Sequence, residues 1–308
     1  MTTELEQRLK NAAAELAEAG VPTPRVDAEL LASHVLNLSR GEVQVKAMVG
    51  LELDHGSVGE FQRLIEERAR RVPLQHLTGS APFRTLELRV GPGVFVPRPE
   101  TEAVVDVALA EIDRLLGLGV AVPRIVDLGT GAGTIAASIA AERPQCDVHA
   151  IEVSEAAAAW AALNFSRLPQ HAAQVRLHVQ DLRDFEQDGF DVVVSNPPYI
   201  PPSMVPTEPE VHEHDPRTAL YGGGEDGLEM PREVIAAAQR VLTRDGWFIL
   251  EHAEVQAEAL LDICAAEPDL GDVRTHHDLT GRPRATSARR RSERAHSGKP
   301  EGVEEYRA

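Results

Sequence analysis

The 308-residue chain has only two cysteines, Cys146 and Cys264. Two thiols far apart in sequence make neither a disulfide framework nor a metal-ligand set, and such usage suits a reducing compartment. Basic residues are scarce as well: 31 Lys and Arg stand against 49 Asp and Glu, a formal net charge of −18. A large nucleic-acid footprint rests on clustered Lys and Arg, so a direct nucleic-acid substrate is not expected, although a local basic patch stays open. No apolar run is long enough to cross a bilayer. The opening MTTELEQRLK lacks the apolar stretch of a signal peptide, and a cytoplasmic protein is expected. Histidines and acids meet in VHEHDP (211–216) and at His276, His277 and Asp278. No second cluster at a ligand spacing accompanies either, so no metal is expected, and 211–216 is read as a mobile polar loop.

What is present begins with helical periodicity. Leu5, Leu9, Ala12, Ala13 and Leu16 fall on one face of a helix that Gly20 can end. PRVDAELLASHVLNLS and SVGEFQRLIEERARR extend the pattern, so residues 1–80 are expected to form a small helical, substrate-docking domain. Arg68, Arg70 and Arg71 close its last long helix. They suit either a solvated face or a docking patch for an acidic partner. Residues 81–98 predict a connecting β-hairpin: Leu86, Leu88 and Val90 alternate, Gly91-Pro92-Gly93 turns, and Val94 and Val96 return.

From about residue 124, short apolar strands (RIVDLG, DVHAIE, VRLHVQD, FDVVVSN, GWFILE) alternate with alanine-rich or amphipathic stretches. That alternation predicts an α/β domain over 99–288, a parallel sheet with helices on both faces. DVRTHHDL and PRATSARR are placed to close it as an antiparallel hairpin. Residues 289–308 are polar and aromatic-poor and read as a disordered tail. Trp160 reads as a core helix residue, and YGGGEDG (221–227), which no apolar strand precedes, as a flexible loop over the substrate channel.

Two stretches carry chemistry. DLGTGAG (127–133) follows a strand and opens a helix. Its glycines let a ligand approach the backbone closely, and its GxGxG pattern has no phosphate-binding lysine, which favours a nucleoside ligand. Glu152 ends the next strand, where a carboxylate can accept both ribose hydroxyls, and Asp181 ends a third, in position to meet an adenine amino group. The second stretch is VVVSNPPYI (192–200). Pro197 and Pro198 forbid helix, and each holds the preceding residue extended.

DLGTGAG, Glu152 and SNPPY together resemble the Rossmann-like S-adenosylmethionine-dependent methyltransferases, which implies a seven-stranded sheet of order 3-2-1-4-5-7-6. The glycine loop and the Asn-Pro-Pro-Tyr loop would then meet at the carboxyl edge of the sheet. There the Asn196 side-chain oxygen and the Pro197 carbonyl can each accept one N–H of an NH₂ group, and Tyr199 can pack on a planar amide or base. The resemblance sharpens over RARRVPLQHLTG, FVPRPETE, VSNPPYIP and DPRTALYGGGEDGLE. Over roughly residues 20–290 the chain is similar to the HemK/PrmC family of release-factor glutamine methyltransferases. That resemblance implies methylation of the glutamine amide in the Gly-Gly-Gln motif of class 1 peptide chain release factors, with S-adenosyl-L-methionine as cofactor. It implies cofactor binding by Gly129, Thr130, Gly131, Ala132, Gly133, Glu152, Asp181, Leu182 and Asn196. It implies a catalytic and substrate pocket of Asn196, Pro197, Pro198 and Tyr199, bordered by Arg98, Glu100 and Thr101. Three positions depart from many relatives: Leu182 where some have an aromatic, Asp215 for Glu, and His252-Ala253 for Ile-Gly after Glu251. Other targets compatible with an NH₂ grip are a ribosomal-protein glutamine and an adenine in DNA or rRNA. A cofactor-binding module without turnover is a further alternative.

Overall fold

The computed structural model describes residues 3–292. Of the tail expected over 289–308, residues 289 and 290 belong to the last strand, and 293–308 lie outside the described residues.

Five helices come first: α1 (Glu4–Glu18), α2 (Pro24–Leu36), α3 (Arg40–Val49), α4 (His55–Ala69) and α5 (Leu74–Thr78). α1 buries Leu5, Leu9, Ala12 and Leu16 along one stripe. Side-chain caps start three of the helices. Thr3 accepts from the Glu6 amide, Asp54 from the Ser57 amide, and Ser39 and Glu42 form a reciprocal capping box. The helices close around a core that includes Leu31, Phe61, Leu64 and Ile65. Each such side chain contributes roughly 1.5–3 kcal/mol by leaving water.

The hairpin forms, but not where the glycines suggested. β1 (Ser80–Phe83) pairs with β2 (Leu86–Arg89), Phe83 opposite Leu86, so the turn is Arg84-Thr85. Arg84 is left-handed, φ 52°. Its side chain is gripped by Glu142 at 2.6 Å and Asp106 at 2.6 Å, and its amide donates to Glu102 at 3.0 Å, which offsets the backbone cost. Val94 and Val96 are buried in irregular chain instead of a return strand. Trp160 lies over Gly91, where a Cβ would stand 2.6 Å from the indole. It covers a satellite cluster of Ala81, Val90, Val94, Ala132 and Ala157 and is not part of the main core.

The α/β region contains α6 (Thr101–Gly117), β3 (Arg124–Leu128), α7 (Thr134–Glu142), β4 (Asp147–Glu152), α8 (Glu155–Ser166), β5 (Val175–Val179) and β6 (Phe190–Ser195). It continues with α9 (Pro209–His214), α10 (Arg217–Leu220), α11 (Glu229–Val241), β7 (Leu242–Glu251), α12 (Ala257–Ala266), β8 (Leu270–His277) and β9 (Pro283–Arg290). The sheet order is β5-β4-β3-β6-β7-β9-β8, with β9 antiparallel to both neighbours and the other pairings parallel. Counting from β3, that is 3-2-1-4-5-7-6. The fold is a Rossmann-like α/β methyltransferase sheet. Ile125, Val148, Val192, Val194 and Ile249 face α6 and α7, while Val126, Ile151, Val193, Phe248 and Leu250 face α11 and α12. Burial on both sides explains why these strands are nearly continuous apolar runs.

One polar segment differs from expectation, and a second falls in the expected closing hairpin. Residues 209–214 form the short helix α9, not a loop, with Pro209 in its first turn and Val211 buried. His276 and His277 end strand β8, and the Asp278 carboxylate accepts from the Thr280 amide and hydroxyl to close the β8–β9 turn. Among the described residues no group of three or more His, Cys, Asp or Glu is placed to hold a metal ion, and no helix is long and apolar enough to cross a membrane.

Candidate active site

β3, β4 and β6 end side by side, and a cavity of about 830 Å³ opens at their carboxyl ends. Gly129, Thr130, Gly131, Ala132, Glu152, Asp181, Leu182, Asn196, Pro197, Pro198, Tyr199, Arg98, Glu100 and Thr101 all line it. Gly133 does not. Its φ is 85°, and a Cβ there would meet the Phe165 ring at 2.6 Å, so it is a packing glycine that seats α7 against α8.

The glycine loop is built from β3. The Gly129 and Thr130 amides both donate to the Ile151 carbonyl at 2.9 Å. Gly129 and Gly131 have φ 76° and 58°, a conformation costly for other residues, and a Cβ on either would meet open space. The Glu152 carboxylate folds back onto the loop, accepting from the Gly131 amide and the Ser154 amide, both at 2.8 Å. Each oxygen keeps a lone pair for a further donor. Asp127 supports the loop from below: one oxygen accepts from the Thr130 hydroxyl at 2.6 Å and the Ala136 amide at 3.2 Å. Its other oxygen is buried without a partner at the cavity wall. Burial pushes Asp127 up to about 7. β5 ends at Val179, so Asp181 lies two residues beyond the strand and caps a one-turn helix over 182–184. Its carboxylate holds Arg183 at 2.5 Å, which keeps it below the usual range. Leu182 is buried beside it.

On the neighbouring strand, Ser195 ends β6 with its hydroxyl on the Leu128 carbonyl at 2.6 Å, tying the two loops' strands together. Asn196 follows, and its Nδ2 donates to the Thr101 hydroxyl at 3.3 Å. With Nδ2 engaged there, Oδ1 is the acceptor that Asn196 has to offer. The Tyr199 hydroxyl donates to Glu251 at 3.4 Å. Glu251 ends β7 fully buried, its second oxygen without a partner, and burial lifts it to about 7 despite Thr101, Arg284 and Tyr199 nearby. Burial likewise pushes the Tyr199 phenol up.

The NPPY loop is braced from behind. The Ile200 amide donates to the Leu220 carbonyl at 2.8 Å and the Gly222 amide to the Ile200 carbonyl at 3.1 Å. The Gln256 amide donates to the Tyr199 carbonyl at 2.7 Å and the Asp226 carbonyl at 3.0 Å. YGGGEDG is therefore an ordered brace, its glycines present because Gly222 and Gly227 abut the backbone of residues 198–201. At the rim, Arg98 pairs with buried Asp215 at 3.0 Å and lies over the Phe95 ring. Burial raises Asp215 to about 6 although Arg98 opposes it. His252 is fully buried, its ring bonded to the Thr286 hydroxyl and the Ala253 carbonyl, each at 2.9 Å, so this departure is accommodated behind the site.

Residues 7–79 match the PrmC N-terminal domain and residues 106–208 the Methyltransferase small domain. A release factor glutamine methyltransferase of Mycolicibacterium smegmatis is 41% identical over 94% of this chain and 98% of its own. A second, from Streptomyces coelicolor, is 43% identical over 89% of this chain and 94% of its own. The chain belongs to the release factor glutamine methyltransferase family. Among solved structures, the hMettl16 catalytic domain in complex with MAT2A 3'UTR hairpin 6 superposes with a TM-score of 0.50 at 16% identity, covering 66% of this chain and 74% of that one, a likeness of fold.

As a member of that family the chain is an S-adenosylmethionine-dependent methyltransferase. Several cavity residues carry no role in the motifs, among them Asp127, Glu251 and Arg284. Asp127, next to last in β3, and Glu251, last in β7, each put a carboxylate near the carboxyl end of an apolar strand, a signal that could have found them. Arg284 lines the cavity from β9, and nothing local in its sequence marks it.

Proposed function

We propose that the chain methylates the side-chain amide nitrogen of the glutamine in the Gly-Gly-Gln motif of class 1 peptide chain release factors, acting in the cytoplasm. The observation that carries this reading is the placement of Asn196, lining the same cavity as the glycine loop, with its Nδ2 engaged by Thr101.

S-adenosylmethionine, when bound, supplies a methyl group activated on a sulfonium. The residues fit it. Gly129 and Gly131 leave open space for close approach, and the unpartnered oxygen of Asp127 would answer a cationic ammonium group. The free lone pairs of Glu152 would take ribose hydroxyls, and Asp181 and Leu182 would meet the adenine. At the other end, Asn196 Oδ1 and the Pro197 carbonyl would each accept one N–H of the glutamine amide. That grip aims the nitrogen lone pair, disfavours its planar conjugated state and stabilises the positive charge that develops on it. The Asn196 and Pro197 acceptors would hold the nitrogen as it takes the methyl group, and the N–H proton it then loses would pass to water. Tyr199, fixed by Glu251 and Gln256, would pack on the amide plane.

The test is transfer of label from S-adenosylmethionine to a purified class 1 release factor, beside the same factor with its Gly-Gly-Gln glutamine changed to alanine. Label on the first alone supports the reading. Label on both, or on neither with cofactor binding intact, overturns it in favour of another target.

A further inference from the structure

Arg68 and Arg71 are not a solvent-facing patch. Arg68 is buried, with its Nε on Asp27 at 2.8 Å and its Nη2 on Glu210 at 2.8 Å. Arg71 grips the same Glu210 with two nitrogens, at 2.8 and 2.6 Å. The two arginines belong to the end of the helical region, whereas Glu210 lies in α9, about 140 residues later. Arg71 is held in the left-handed region, φ 65°, and its third nitrogen donates to the Gly20 carbonyl at 3.1 Å. A bulky residue persists there only where its surroundings over-determine it.

α9 has six residues, too few to be stable alone. Glu208 and Val211 line the cavity, and Asp215, just past the helix, holds Arg98 on the cavity rim. This part of the cavity wall is thus a weak helix with one charged tether at each end.

We propose that Glu210 is a positioning residue: through its two-arginine grip the helical region holds α9 in place and so sets the shape of the substrate pocket. Glu210 itself does not line the cavity. Its effect on turnover rests on the methyltransferase reading; its effect on α9 does not.

Hydrogen exchange on the full chain tests the second directly. In Glu210→Ala, the amides of Val211, His212 and Asp215, which close α9, should exchange faster, while those of Gly129 and Thr130 keep their protection. Unchanged exchange over α9 overturns the proposal even if no substrate is turned over. Kinetics test the first. Glu210→Ala should lower kcat/KM about tenfold or more, mainly through KM, for a release factor and equally for a short Gly-Gly-Gln peptide that cannot span the helical region. S-adenosylmethionine affinity should stay within about twofold of wild type, as expected for an independent site. A loss confined to the full-length factor would make this edge a docking surface instead. Arg71→Gly, which suits the left-handed backbone, should cost less on Glu210→Ala than on wild type, and full additivity overturns the coupling. Loss of peptide methylation by the wild-type chain itself would count against the methyltransferase reading and leave the exchange result standing.

Discussion

Gly222 lies against the NPPY loop so closely that a Cβ on it would stand 2.7 Å from the Pro198 carbonyl oxygen and 2.8 Å from the Tyr199 Cα. The proposed amide grip therefore depends on a glycine more than twenty residues downstream, because only a bare backbone fits there. Gly222→Ala should destabilise the protein by about 1–3 kcal/mol, as overpacking does, and should cut turnover more than cofactor affinity. Denaturant unfolding and a binding isotherm separate the two. Wild-type turnover in that variant would show that the loop tolerates displacement.

In the proposed reading Glu152 serves the cofactor half alone. Its carboxylate accepts from the Gly131 and Ser154 amides. Glu152→Ala leaves two backbone donors without their partner and removes the proposed ribose acceptor. The expected loss of cofactor affinity is about tenfold or more, from charge-assisted hydrogen bonds of roughly 1.5–3 kcal/mol. Calorimetric titration with S-adenosylmethionine checks it, and an unchanged Kd contradicts the assignment.

Glu251 makes stability depend on pH in a definite direction. Burial raises it to about 7 from an ordinary 4.5, so the folded protein holds this proton more tightly than the unfolded chain does. Through that window the unfolded state binds fewer protons, and this group's contribution falls as pH rises. Asp127, also raised to about 7, has the same sign. Glu210 is lowered to about 2 by Arg71 and Arg68 despite its burial, and its contribution is lost only as the pH falls below about 4.5. Histidines such as His252 and His149, lowered by burial, act oppositely to Glu251, so the informative quantity is a difference. Glu251→Gln should gain in Tm relative to wild type as the pH is raised from about 5 to about 8. A difference that stays flat contradicts a protonated Glu251.

The sheet and the glycine loop were legible because their signals are local. Runs such as Val192–Val194 admit little but a buried strand, and a GxGxG turn after one has few uses. The hairpin turn was misplaced because Gly91-Pro92-Gly93 has turn chemistry, yet Gly91 is spent on contact with Trp160, and Arg84 is turned left-handed by Glu142 and Asp106 far along the chain. Arg68 and Arg71 read as surface charges for the same reason: what buries them is Glu210, which no spacing rule connects to them. α9 was hidden by its polarity, since a short helix held by ion pairs shows no apolar stripe. Gly133 shares the glycine motif by sequence but serves packing, a distinction only the position of Phe165 reveals.

The central claim is that Asn196 and Pro197 together hold an amide NH₂, and Asn196→Ala tests it most directly. One peptide-mapping experiment by mass spectrometry, counting methyl groups on the Gly-Gly-Gln glutamine after incubation with wild type or variant, is read beside the Kd for S-adenosylmethionine. Because one acceptor of the grip is deleted while the glycine loop and Glu152 are untouched, turnover should fall by about 10²–10³ with cofactor affinity largely kept. Turnover equal to wild type at equal cofactor affinity would contradict the grip.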